Sequence, residues 1–167
     1  MFQIMSRKRH KKSQLIAILL LIASTAMGQI NQDEWQKTIN KGKLEYATEN
    51  FVTASEYFEE AAKLIPTDTL AHVFLLDCGL RLRKPEIVEK AFKRLQTIGN
   101  SQPEYFAKLA SVQRTVSHNF PSALATLQDG KKLFPTDKGL AYEELLWYFT
   151  KPDLKRLKPL LETFLQK

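Results

Sequence analysis

The stretch KLIPTDTLA at 63–71 returns as KLFPTDKGLA at 132–141, 69 residues further along a chain of 167. In both copies the proline stops whatever helix precedes it, because it has no amide hydrogen to donate and its ring clashes with the preceding turn. An aspartate follows two residues later, Asp68 or Asp137. Its short carboxylate can accept from the free amides that open the next helix. The stretch therefore reads as a helix stop followed by a helix start, and its duplication implies two equivalent junctions.

Half of 69 is 34.5, within the range in which sequence self-similarity marks stacked repeats. Steps of 34, 35 and 34 from Phe51 reach Pro85, Phe120 and Leu154; from Ala54 they reach Val88, Ala123 and Leu157. From Phe58 they reach Phe92, Leu127 and Leu161, and from Ala61 they reach Leu95, Gly130 and Phe164. Fifteen of the sixteen positions are apolar or proline, so each unit carries one apolar stripe; Gly130 is the exception. Within a unit the stripe has helical spacing, as in Phe51, Ala54, Phe58, Ala61 and Leu64. A second helical stretch precedes each stripe, at 34–48, 69–83, 103–116 and 138–149. Ser101 with Glu104 suggests a capping box at the middle junction. No run alternates with period two for long enough to demand a strand, so the fold class is all-α.

The segment NKGKLEYATENFVTASEYFEEAAKLIPTD, 40–68, resembles a tetratricopeptide repeat, with Gly42, Phe51, Ala54, Phe58, Ala61 and Pro66 at that family's spacing. The third unit agrees at Phe120, Ala123 and Pro135, whereas the second has Val88, Leu95 and Asn100 at positions usually held by alanine, alanine and proline. The resemblance implies a right-handed α-α solenoid of about four helix pairs, in units near 35–68, 69–102, 103–137 and 138–167. Pro159 falls inside the last expected helix, which has Leu154, Leu157, Leu161, Phe164 and Leu165 on one face and suits an end cap. The resemblance further implies a concave groove lined by the first helix of each pair. By register its wall would comprise Ile39, Lys43 and Tyr46, then Val73 and Asp77, then Tyr105, Lys108 and Val112, and finally Tyr142, Leu146 and Phe149. Ile39 and Lys43 stand where the family's carboxylate clamp needs lysine and asparagine, so carboxylate recognition is not expected.

Residues 1–28 have a different composition. Arg7, Lys8, Arg9, Lys11 and Lys12 precede the apolar run LIAILLLIA and the small residues STAMG, which is the pattern of a secretory leader cleaved before Gln29. A retained anchor is the alternative, although the apolar run is shorter than the roughly 20 residues that span a bilayer. The chain is +7 overall, and residues 1–28 hold five of its 25 basic residues and none of its 18 acidic ones; the remainder is 20 against 18, or +2. That balance cannot build the dense basic face that nucleic-acid binding needs. Cys78, the single cysteine, excludes an internal disulfide and reads as a small buried residue.

No motif for a catalytic nucleophile, phosphate loop or metal set occurs. His72 and Asp77 would lie about 140° apart on one helix and share no face. His118 has no partner in sequence. The reading is a non-enzymatic protein-interaction scaffold, without catalytic residues, metal or cofactor, exported to the periplasm or outside the cell. Its expected partner is a protein or peptide, with membrane contact only through an uncleaved leader. A structural subunit packing through its helix ends is the alternative, and a small hydrolase or inhibitor a minor one.

Overall fold

The computed structural model describes residues 31–150 together with Lys158, Pro159, Leu161, Glu162 and Leu165. The leader expected at 1–28, and Leu154, Leu157 and Phe164 of the expected last stripe, lie outside the described residues. Over 31–150 seven helices follow in order: α1 over 31–47, α2 Phe51–Leu64, α3 Thr69–Arg81, α4 Pro85–Thr97, α5 Pro103–Thr115, α6 Phe120–Leu133 and α7 Lys138–Thr150. The described residues contain no strand, and none of their helices is long and apolar enough to cross a membrane. They form an all-α helical-repeat solenoid in which α3 packs on α2 and α4, and α5 on α4, α6 and α7.

The duplicated junction is built the same way twice. Helices α2 and α6 end just before Pro66 and Pro135. The Asp68 amide donates to Ile65 O at 3.1 Å, and the Asp137 amide donates to Phe134 O at 3.2 Å. Asp68 Oδ2 then accepts from the Ala71 amide at 3.1 Å, and Asp137 Oδ1 from the Leu140 amide at 2.9 Å. Asn119 caps α6 likewise, accepting from the Ser122 amide at 3.2 Å.

The middle junction departs from the expected capping box. The residue opening α5 is Gln102, which makes no side-chain cap, and Pro103 takes the first helical position. Proline there removes one free amide and presets the helical φ, so Ser101 is left outside the helix. The preceding helix is closed by Gly99, at φ 78, whose amide donates to Gln96 O while that of Asn100 donates to Leu95 O. This pair of bonds satisfies the last carbonyls through a left-handed residue. Glu49 at φ 61 and Arg83 at φ 55 close α1 and α3 with the same two-bond pattern, without the benefit of glycine.

The repeated stripe is the core. Ala54, Phe58, Ala61, Val88 and Leu95 have no exposed surface, and Ala123 and Leu127 are 1% exposed. Phe58 lies across α1 at Gly42, where an added Cβ would sit 2.7 Å from its ring. Its other face stacks on Phe74 of α3 at 4.6 Å, so one ring ties three helices together. Gly130 does the same for Phe106, whose Cβ would be 2.9 Å from a side chain added there, and this explains the one glycine in the apolar stripe. Leu161 packs beside Leu145 and Tyr148 of α7, whereas Leu165, one turn further on, is 79% exposed and does not join that face.

Gly42→Ala is expected to destabilise the protein by about 1–2 kcal/mol. Overpacking against a ring that cannot retreat outweighs the roughly 1 kcal/mol that alanine gains in helix propensity. Arg83→Gly is expected to stabilise it by about 0.5–1 kcal/mol by relieving the left-handed backbone. Denaturant unfolding monitored by circular dichroism reads both signs.

Candidate functional site

The first helices of successive pairs, α1, α3, α5 and α7, adjoin one another along one side of the stack. A polar ladder crosses three of them. The Tyr46 hydroxyl on α1 donates to Asp77 Oδ2 on α3, and Lys108 Nζ on α5 donates to Asp77 Oδ1 at 3.2 Å. Glu104 Oε1 holds the same ammonium at 2.6 Å, and Arg81 Nε stands 3.8 Å from Asp77. Each rung spans 31 residues. That is roughly one helical turn short of the 34-residue period, so neighbouring first helices are offset by a turn where they meet.

The ladder rests on aromatic rings. Tyr46 meets Phe51 and Phe74 edge to face, each at 5.3 Å. Lys43 Nζ lies 6.0 Å from the centre of Phe74, and the Arg81 guanidinium 5.7 Å from that of Phe51. Cations over ring faces are held by the ring quadrupole.

The three ladder residues shift one another's titrations. Burial works against the Asp77 carboxylate, but the Tyr46 hydroxyl, Lys108 and Arg81 outweigh it and hold the carboxyl below its ordinary value. The hydrogen bond to Asp77, followed by burial, raises the Tyr46 hydroxyl. For Lys108, burial is outweighed by Glu104 and Asp77, and the ammonium is raised. Burial pushes the Cys78 thiol up to about 12, helped by the neighbouring Asp77 charge, so at neutral pH it is an inert packing group.

Of the other expected groove residues, two belong to the core and are corrected here. Ile39 has no exposed surface and Val112 is 4% exposed, because both point into the packing between helices rather than along the wall. Val73 and Tyr105 are half-buried against the same core. Tyr142 and Phe149 are 50% and 56% exposed, with half-buried Leu146 between them on α7. Seven residues separate Tyr142 from Phe149, so they share a helix face. The sequence reading missed Glu104 and Arg81, although each lies four residues from a ladder partner, the spacing of a helical ion pair. It also missed the Arg114–Glu143 pair, at 3.2 Å, which joins α5 to α7. Among the described residues no cluster of three or more histidine, cysteine, aspartate or glutamate side chains could hold a metal ion.

No family model matches the sequence, and no curated protein matches it either. Solved structures do match the fold. The chain is similar to the TPR domain of Arabidopsis OM64, with 16% identity and a TM-score of 0.61 over 72% of this chain and 98% of that one. It is also similar to YrrB, described as a TPR protein with an unusual peptide-binding site, with 15% identity and a TM-score of 0.62 over 77% of this chain and 66% of that one. Both are tetratricopeptide-repeat structures, and the likeness is one of fold.

The ladder predicts a pH window. A carboxyl lowered by folding contributes stability above its unfolded pKa and loses it as pH falls through the folded value. A tyrosine or lysine raised by folding contributes below its unfolded pKa and loses it as pH rises through the folded one. The ladder therefore stabilises between about pH 4 and pH 10. Asp77→Asn is expected to lower stability by about 1 kcal/mol at pH 7. The gap to wild type should close below about pH 4 in urea titrations run across pH; a gap unchanged down to pH 3 contradicts the assignment.

Proposed function

We propose that the chain is a non-catalytic scaffold, exported by residues 1–28, that holds a peptide or protein segment along its first helices. The observation that carries this is the contrast between the two ends of that surface. Across α1, α3 and α5 the polar groups satisfy one another. On α7, Tyr142 and Phe149 stand in water with about half their surface uncovered. Large apolar groups exposed on a common face mark interaction surfaces, and tyrosine in particular supplies contact area together with a hydroxyl for a polar edge.

The partner this surface suits is a segment with apolar side chains on one side, laid across α7 and α5, with polar groups toward Lys108 and Glu104. Tyr105 and Leu146, both half-buried, would form the floor. The platform is rigid before binding, since the ladder and the core beneath it are already closed, and a rigid platform loses little conformational freedom on association. The peptide-binding description of YrrB and the shared fold support the reading.

Affinity capture from an envelope extract, with the protein as bait, is expected to recover a specific partner. Tyr142→Ala with Phe149→Ala should weaken that capture at least tenfold, the loss typical of an anchor residue pair. Intact mass of the exported bait should place its first residue at Gln29. Recovery of no specific partner, or of the same partner undiminished by the double variant, contradicts the proposal.

A further inference from the structure

A second concavity lies on a different face of the stack, between α2, α3 and α4. It has a volume of about 120 Å³. Its floor is apolar, made by Ala62, Leu75, Ile87 and Ala91. Leu75 and Asp77 are two residues apart on α3, about 200° around the helix, so this pocket opens away from the polar ladder.

The rim is cationic. Lys90 is engaged by Glu59 at 3.0 Å. Lys63 and Arg94 also line the opening, and among the described residues neither has a carboxylate partner. His72 closes one wall and is 6% exposed. Its Nε2 lies 3.2 Å from the Pro66 carbonyl, which can only accept, so that nitrogen carries the hydrogen and is already engaged. Recognition of a ligand's polar end therefore falls to Lys63 and Arg94.

An apolar floor under two unpaired cations selects an anion carried on an apolar body. A free inorganic anion would leave the floor uncovered, and a neutral apolar molecule would leave the cations unanswered. The volume sets the size. A cavity of roughly 150 Å³ accommodates benzene, and this one is somewhat smaller, which suits an isobutyl or isopropyl group. Arginine adds geometric selection, since its planar fork pairs with both oxygens of a carboxylate.

We propose that this pocket is a binding site for a carboxylate borne on a short branched apolar group, whether a free branched-chain acid or the carboxyl end of a peptide finishing in leucine or valine. The site is independent of the first-helix surface, and the two can be occupied together.

Isovalerate is the direct probe, titrated into the protein and followed by amide and methyl NMR shifts at Leu75, Ile87 and Ala91. Saturable shifts at these residues are expected, with isovaleramide binding at least tenfold more weakly. Arg94→Gln and Lys63→Gln should each weaken isovalerate about three- to tenfold. Both residues are exposed, so neither change endangers the fold. Lys138→Gln, exposed at the start of α7, should leave binding unchanged. A short acetylated peptide ending in leucine, compared with its C-terminal amide, distinguishes the sources: capture of the peptide acid assigns a chain end, and capture of isovalerate alone assigns a free acid. Absence of saturation with either probe, equal binding of the amides, or undiminished binding by the Arg94→Gln, Lys63→Gln double variant overturns the proposal.

Discussion

A helix that carries Ala54, Phe58 and Ala61 along one side has nothing of its own to cover them. Phe58 shows the remedy, with one face against the bare backbone of Gly42 and the other against the ring of Phe74. A knob on the second helix, a hole on the first helix of its own pair and a lid on the first helix of the next pair form one closed contact. Because the lid belongs to the next pair, each pair leaves the following one to be covered in turn, and the stack propagates. The second such contact, Phe106 over Gly130, inverts the roles, with the knob on α5 and the hole on α6. Phe92 and Phe134 flank it at 4.9 and 6.2 Å. The 34-residue period belongs to the apolar stripe, whose members Ala54, Phe58, Ala61, Val88, Leu95, Ala123 and Leu127 are buried in the core.

Stacking also decides what the surface can do. With the first helices side by side, residues one helix apart become neighbours across a continuous wall, and Tyr46, Asp77 and Lys108 satisfy one another there. Their mutual pairing removes most of the charge that part of the wall could offer a ligand. What remains available lies toward α7, where the aromatic groups are uncovered, and on the opposite side, where Lys63 and Arg94 overhang an apolar hollow. One architecture thus presents two surfaces of different chemistry, exposed aromatic rings on α7 and a cationic rim over an apolar hollow.

Local rules made the helices and their junctions legible. Proline at 66 and 135 and aspartate at 68 and 137 act within a turn of chain, so their effect can be read without knowing the fold. The apolar stripe was legible for the same reason, because a helix imposes its own spacing. The wall residues depended on how helices cross, which no single helix records. A 34-residue register places Ile39 and Val112 on the wall, but how deep each lies depends on the neighbouring helices, and both are buried in the packing between them. The contacts among Tyr46, Asp77 and Lys108 depend on how neighbouring helices are offset, which a register along the chain does not contain. Ser101 failed as a cap because Pro103 claimed the first helical position, a competition between two local signals that sequence alone did not rank.

The packing of a ring onto a bare glycine is the account's most direct point of test, and solution NMR can read it without a crystal. Nuclear Overhauser contacts are expected between the Gly42 α-protons and the Phe58 ring, and between Gly130 and Phe106, with the glycine protons displaced by the ring currents. Backbone shifts over 31–150 should be helical outside the junctions. Absence of both glycine–ring contacts, or a run of extended backbone shifts within these helices, would contradict the stacked-pair architecture from which both proposed surfaces derive.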